Sequence, residues 1–208
     1  MRLRHAPATA ALLAVIAAVF LLELARGAGR SDLVLYDMGA LTADTFRRHE
    51  YWRLLAAMFL HAGWTHVLLN LFSLFQVGAA FETLFGSRRM LFVYFVSGLC
   101  VSLGTPFRMP PNGISLGASG AIFGLVGALI LTVLRTRYRH ERWARVMVLQ
   151  LVICVVLNFA FAMDFQEIDN VAHMIGFAVG LLLGLIPAHV APPPPPSTEM
   201  VDVTPESQ

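Results

Sequence analysis

Lysine is missing from this chain: all fifteen basic residues among its 208 are arginine. Charge of either sign is scarce, at 13% of residues, whereas 57% are hydrophobic. A soluble domain carries about 25% charged residues, so the chain reads as an integral membrane protein with lipid as its main solvent. A net charge of only +2 argues against a nucleic-acid surface. The two cysteines, Cys100 and Cys154, lie in apolar runs without CxxC spacing. They read as small buried hydrophobes rather than a disulfide or metal pair. No HExxH is present, and the length leaves room for one compact bundle and no second folded domain.

What is abundant is apolar sequence in runs. A bilayer crossing takes about 20 apolar residues, and runs at roughly 8–26, 64–86, 89–105, 119–134, 145–162 and 171–190 give six candidate spans. Arginine alone then carries the orientation signal. With the N-terminus in the cytoplasm, nine arginines fall inside (Arg2, Arg4, Arg88, Arg89, Arg135, Arg137, Arg139, Arg142, Arg145) and six outside. Both termini are therefore expected in the cytoplasm, with residues 1–7 as a short N-terminal stretch, 8–190 as the membrane domain and 191–208 as a tail. The tail opens on five consecutive prolines, 192–196, and has nothing to pack a core with. A basic start followed by Ala25-Arg26-Gly27 also permits a cleaved signal sequence, but the apolar run is long for one. The first outer loop, 27–63, holds Tyr51, Trp52 and Phe59 and is expected to lie partly in the membrane interface.

Two polar side chains stand out in the apolar runs. Ser119 sits in Gly117-Ala118-Ser119-Gly120-Ala121-Ile122-Phe123-Gly124, and His173 in Asn170-Val171-Ala172-His173-Met174-Ile175-Gly176. Ionisable or nucleophilic groups at membrane depth are functional candidates by default. Pro106, Pro110 and Pro111 forbid a helix before Gly117. Only about 22 Å of helix then separates Ser119 from Arg135, too little for a core of about 30 Å. Ser119 should therefore start its helix in a sunken pit, where non-helical backbone is tolerated only against protein or water. His173, Gly176, Gly180 and Gly184 share one helix stripe, and Gly120, Gly124 and Gly127 another beside Ser119. Small-residue stripes let helices approach closely, which a serine–imidazole hydrogen bond requires.

A third cluster is His61-Ala62-Gly63-Trp64-Thr65-His66-Val67-Leu68-Leu69-Asn70. His66 and Asn70 share a helix face. Three readings stay open: structural histidines at an interface, a zinc site from His61, His66 and His173, or donors for a developing oxyanion.

Together, Trp52-Arg53, His61-x4-His66-x3-Asn70, Gly117-x-Ser119-Gly120 and His173-x2-Gly176-x3-Gly180 resemble the rhomboid intramembrane serine proteases, over residues 50 to 186. The resemblance implies an all-α, polytopic, six-transmembrane-helix rhomboid-like bundle. It implies Ser119 as nucleophile and His173 as general base, acting as a dyad. His66, Asn70 and the Ser119 backbone N–H would form the oxyanion hole with support from Gly117, and His61 would serve the hydrogen-bond network nearby. Phe123 takes the place of the ring that stacks on the base, where relatives often carry tyrosine. Trp52 and Arg53 look like the family's loop-anchoring pair, Glu82 like its structural acid tying loop to helix, and Gly176 and Gly180 like its packing glycines. A snorkelling carboxylate is the plainer account of Glu82. Asp164, Glu167 and Asp169 read as solvated, and Asn170 either as a helix cap or as a group orienting His173.

The function so implied is a serine endopeptidase that cleaves transmembrane segments of other membrane proteins near the outer face, with no cofactor and no metal. Its partners would be transmembrane protein substrates and the lipid bilayer. The competing class is a catalytically inactive rhomboid-like binder of transmembrane clients, which usually lacks the serine or the histidine. The short chain and single N-terminal anchor suit a bacterial cytoplasmic membrane. The glycine stripes are used within the bundle and so specify no oligomeric state.

Overall fold

A computed structural model describes residues 5–28, 31–161 and 169–188, the side chains of 158–161 excepted. The proline-rich tail, Asp164 and Glu167 lie outside the described residues. The chain runs through α1 (Pro7–Arg26), α2 (Asp32–Met38), β1 (Leu41–Thr42), α3 (Arg53–Ala56), α4 (Trp64–Phe85), α5 (Ser87–Gly104), β2 (Ile114–Ser115), α6 (Ser119–Arg135), α7 (Arg142–Phe161) and α8 (Asn170–Gly184). By length and composition Pro7–Arg26, Trp64–Phe85 and Ser87–Phe107 can each cross a membrane, and α6 and α8 are shorter apolar helices.

Burial explains the arrangement. α6 is apolar all round, and 12 of its 17 residues are buried, which makes it the central column of the bundle. α1, α4, α5 and α8 each bury fewer than half of their residues. α1 buries Thr9, Leu12, Ile16, Phe20 and Glu23, the 3–4 spacing of a single helix face. Outward lie Leu21, Leu68, Leu69, Phe72, Phe92, Leu149, Val156 and Leu182, all exposed. Contiguous apolar surface of this kind is unfavourable in water and natural in lipid. The fold is thus a polytopic helical membrane protein.

Three expectations need correction. The last helix stops at Gly184, short of 190, because Pro187 disfavours helix at the residue before it. The Arg89 guanidinium closes that end, donating to the carbonyls of Ile186 at 2.7 Å and Pro187 at 2.9 Å. The bundle is all-α as expected, with one small addition: Leu41 pairs with Ser115 and Thr42 with Ile114 in a two-residue antiparallel ladder joining the first loop to the segment before α6. Cys154 is exposed, not buried, since α7 packs at the periphery.

The third concerns Glu82, which does not tie the first loop to a helix. Its carboxylate, buried at the end of α4, accepts from Ala8 N–H at 2.9 Å, Thr9 N–H at 2.7 Å, the Thr9 hydroxyl at 2.7 Å and the Ser87 hydroxyl at 2.6 Å. These are first-turn groups of α1 and α5, whose N–H groups have no intrahelical acceptor and attract an anion. Glu82 therefore joins three helices at the end opposite Ser119. The first loop is held instead by Arg53. Its guanidinium pairs with Glu50 at 2.6 Å, donates to the carbonyls of Tyr36 and Ala40, and lies 4.3 Å from the Tyr36 ring and 4.8 Å from the Trp52 ring.

Candidate active site

The α6–α8 interface is where the two glycine stripes meet. A Cβ added to Gly176 would lie 2.9 Å from the Gly120 carbonyl carbon, and one on Gly180 2.7 Å from that of Gly124. The helices touch backbone to backbone, which no larger residue permits. That approach carries His173, in the first turn of α8, onto Ser119 at the start of α6. Ser119 Oγ and His173 Nε2 are 2.8 Å apart, so with the ring proton on Nδ1 the hydroxyl donates to Nε2. The Phe123 ring, one turn along α6 from Ser119, stacks on the imidazole at 4.3 Å and 11°.

The turn before Ser119 explains its setting. Gly117 has φ +123°, a conformation favoured by glycine. Its N–H donates to the Ala57 carbonyl at 2.8 Å. That bond takes it out of the set of free donors, so its contribution is the shape of the turn. α6 begins without a side-chain cap, which leaves the first-turn amides, Ser119 N–H among them, without intrahelical acceptors. A cavity of about 40 Å³ opens here, lined by Met58, Ser102, Thr105, Gly117, Ser119 and Asp169 among others. That is room for a few water-sized groups.

His66 borders the same turn. A Cβ on Gly117 would lie 2.9 Å from both Cε1 and Nε2 of His66. On the far side of the ring, Ala62 N–H donates to Nδ1 at 3.4 Å, so the neutral ring keeps its proton on Nε2, toward Gly117. Asn70 is buried and donates an amide N–H to the His66 carbonyl at 2.9 Å, which engages one of its two donors. His61 packs edge-on against His66 at 5.0 Å and meets the Phe59 carbonyl through Nδ1 at 3.1 Å. Burial pushes its imidazole down to about 3, the neighbouring His66 adding to this and the Phe59 bond opposing it. His61 is therefore neutral at any ordinary pH. The zinc reading has no geometry behind it: among the described residues no three His, Cys, Asp or Glu side chains are grouped to hold a metal.

Two acids belong to the site in ways the sequence did not suggest. Asp169 is not merely solvated. It caps α8 by accepting from Ala172 N–H at 2.9 Å, and pairs with Arg108 at 2.8 Å. The cap thus falls one residue before Asn170. Burial alone would raise the Asp169 carboxyl, but the Arg108 and Ala172 hydrogen bonds hold it below the usual carboxylate range. Glu23 is 1% exposed within α1 and accepts from His61 N–H at 3.0 Å. A lone acid in an apolar run was the signal, and it fell on the buried stripe.

Residues 48–189 match the family model of the Rhomboid domain. RHOMBOID-like protein 1 of Arabidopsis thaliana is 40% identical over 161 residues, covering 76% of this chain and 40% of the relative. Rhomboid protease GluP of Bacillus subtilis is 34% identical over 161 residues, 77% of this chain and 31% of GluP. YdcA of the same bacterium is 36% identical over 158 residues, 76% of this chain and 74% of YdcA. The chain thus matches less than half the length of the first two relatives.

Proposed function

From the premise that the chain belongs to the rhomboid family, whose members are generally intramembrane serine proteases, we propose that it is a serine endopeptidase working by a Ser119–His173 dyad. The observation that carries the reading is the 2.8 Å contact between Ser119 Oγ and His173 Nε2 beneath the stacked Phe123 ring. His173 takes the hydroxyl proton as Ser119 attacks a peptide carbonyl, then returns it to the leaving amine. The developing oxyanion is met by the Ser119 N–H and by His66 Nε2–H, with the remaining Asn70 N–H in reserve. Each such donor is worth about 10²- to 10³-fold in rate. Water entering the cavity beside Ser119 then hydrolyses the acyl-enzyme.

The substrate is a transmembrane segment of another membrane protein, cut near its outer end. A helix hides its carbonyls in hydrogen bonds, so small or helix-breaking residues near the cut are expected. The membrane domain comprises six spans within 8–190, with residues 1–7 and the 191–208 tail in the cytoplasm of a bacterial cell and Ser119 toward the outer face. Incubation of wild type and Ser119→Ala with a model transmembrane substrate tests the reading. Cleavage lost in the variant supports it, and equal cleavage by both sinks it. A serine-hydrolase probe should label Ser119 and stop doing so in His173→Ala. Wild type that neither cleaves nor labels is the result expected of a client-binding relative.

A further inference from the structure

Glu23 sits in the last turn of an apolar helix and is more deeply buried than the proposed catalytic pair. Only one of its oxygens is used: Oε1 accepts from His61 N–H at 3.0 Å, while Oε2 has no partner among the described residues. A buried carboxylate left half satisfied weakens the fold relative to an apolar residue of similar volume. A structural tie between α1 and α4 is therefore an incomplete account of Glu23.

What it holds completes the account. Oε1 clamps the backbone at His61, and the next residue's N–H, that of Ala62, donates to His66 Nδ1 at 3.4 Å. That bond selects the tautomer in which Nε2 carries the proton, and the Nε2 side of the ring is the side against Gly117. The His61 ring, pinned by the Phe59 carbonyl, braces His66 edge-on at 5.0 Å. The carboxylate, the two backbone amides and the imidazole thus form one relay from α1 to the turn beside the nucleophile.

We infer that Glu23 is a positioning residue: by clamping the His61–Ala62 backbone it sets the tautomer and place of His66, so that Nε2–H is presented at the turn before Ser119. This rests on the protease reading, in which His66 serves the oxyanion. Four variants test it: Glu23→Met, which keeps the volume but removes the acceptor; Glu23→Gln, which keeps a carbonyl oxygen for His61 N–H; His66→Ala; and Glu23→Met combined with His66→Ala. Turnover of a transmembrane substrate is measured at a temperature where all are folded. Glu23→Met should lower kcat at least tenfold with KM within about threefold, since a misplaced oxyanion donor acts on the transition state alone. Its melting temperature should be unchanged or higher. Glu23→Gln should keep kcat within about threefold of wild type. The combined variant should be no slower than His66→Ala, because residues acting through one another are not additive.

Wild-type kcat in Glu23→Met, or losses that multiply in the combined variant, overturn the inference. If Ser119→Ala cleaves as well as wild type, it is the protease reading that fails. The relay is then decided by nitrogen NMR of the histidine rings. His66 should be the Nε2–H tautomer in the wild type and a mixture in Glu23→Met, and an unchanged tautomer overturns it.

Discussion

Replacing Gly180 by alanine should damage catalysis from seven residues away. A Cβ there would lie 2.7 Å from the carbonyl carbon and 2.8 Å from the Cα of Gly124, and closer still to the carbonyl oxygen. All three are backbone atoms, so no side-chain rotation relieves the overlap. Carbon atoms rest about 3.5–4.0 Å apart, and α6 and α8 must therefore part by about 1 Å. Overpacking of this sort costs about 1–3 kcal/mol. Gly180 lies on the face of His173, two turns along α8, and the separation is passed to the 2.8 Å contact between Ser119 and His173. A misplacement of about 1 Å costs roughly 10²-fold in rate.

Gly184 and Gly104 supply the comparison. A Cβ on Gly184 meets the Leu131 Cβ at 3.0 Å and the Ala128 oxygen at 3.2 Å, and one on Gly104 meets only the Ile175 Cδ1 at 3.5 Å. Cleavage rate and melting temperature in detergent micelles should fall in the order Gly104→Ala, Gly184→Ala, Gly180→Ala, with Gly104→Ala near wild type. Equal behaviour of the three variants, or a Gly180→Ala enzyme as fast and stable as wild type, would refute the backbone-contact argument.

Phe123→Leu removes a stack worth about 0.5–1.5 kcal/mol and should slow Ser119 labelling about 2- to 10-fold, while Phe123→Tyr labels at the wild-type rate. Asp169 is held below its ordinary pKa, so its cap and ion pair stabilise α8 above about pH 4 and are lost as pH falls through the lower folded value. Melting temperature should drop over that acidic range more in the wild type than in Asp169→Asn, which keeps a cap oxygen but loses the ion pair with Arg108 and begins about 0–1 kcal/mol weaker at neutral pH. Arg53→Ala strands the partly buried Glu50 and the carbonyls of Tyr36 and Ala40. It should lose about 2–4 kcal/mol of stability by thermal unfolding, with Ser119 labelling retained at low temperature.

Where one residue decides a feature, the sequence was legible. Prolines before Gly117 and glycines after it dictated the start of α6 at Ser119, and the stripe spacing dictated which face of α8 carries His173 toward α6. Features made by distant chain segments were not legible. The Leu41–Thr42 ladder with Ile114–Ser115 pairs two loops that carry no strand pattern. That the Gly117 N–H goes to Ala57 depends on where the first loop returns. Span ends slipped where a cap lay outside the apolar run, as with Arg89 closing α8. The role of Glu23 was not legible either, since an acid near a helix end can snorkel and only the packing of α1 puts it on the buried stripe.

The two carboxylates on α1 and α4 answer one another. Glu82, from the end of α4, receives the first turn of α1. Glu23, from the last turns of α1, receives the backbone just ahead of α4. An antiparallel helix pair is thereby tied at both ends by hydrogen bonds that lipid cannot compete for. Greasy contact alone would let α1 slide, because lipid tails are as apolar as leucine and give neighbouring helices no hydrophobic reason to keep register. The two ties do not have equal work. Four donors satisfy Glu82, as expected of a structural joint, whereas Glu23 keeps one oxygen unsatisfied one residue from the amide that orients His66.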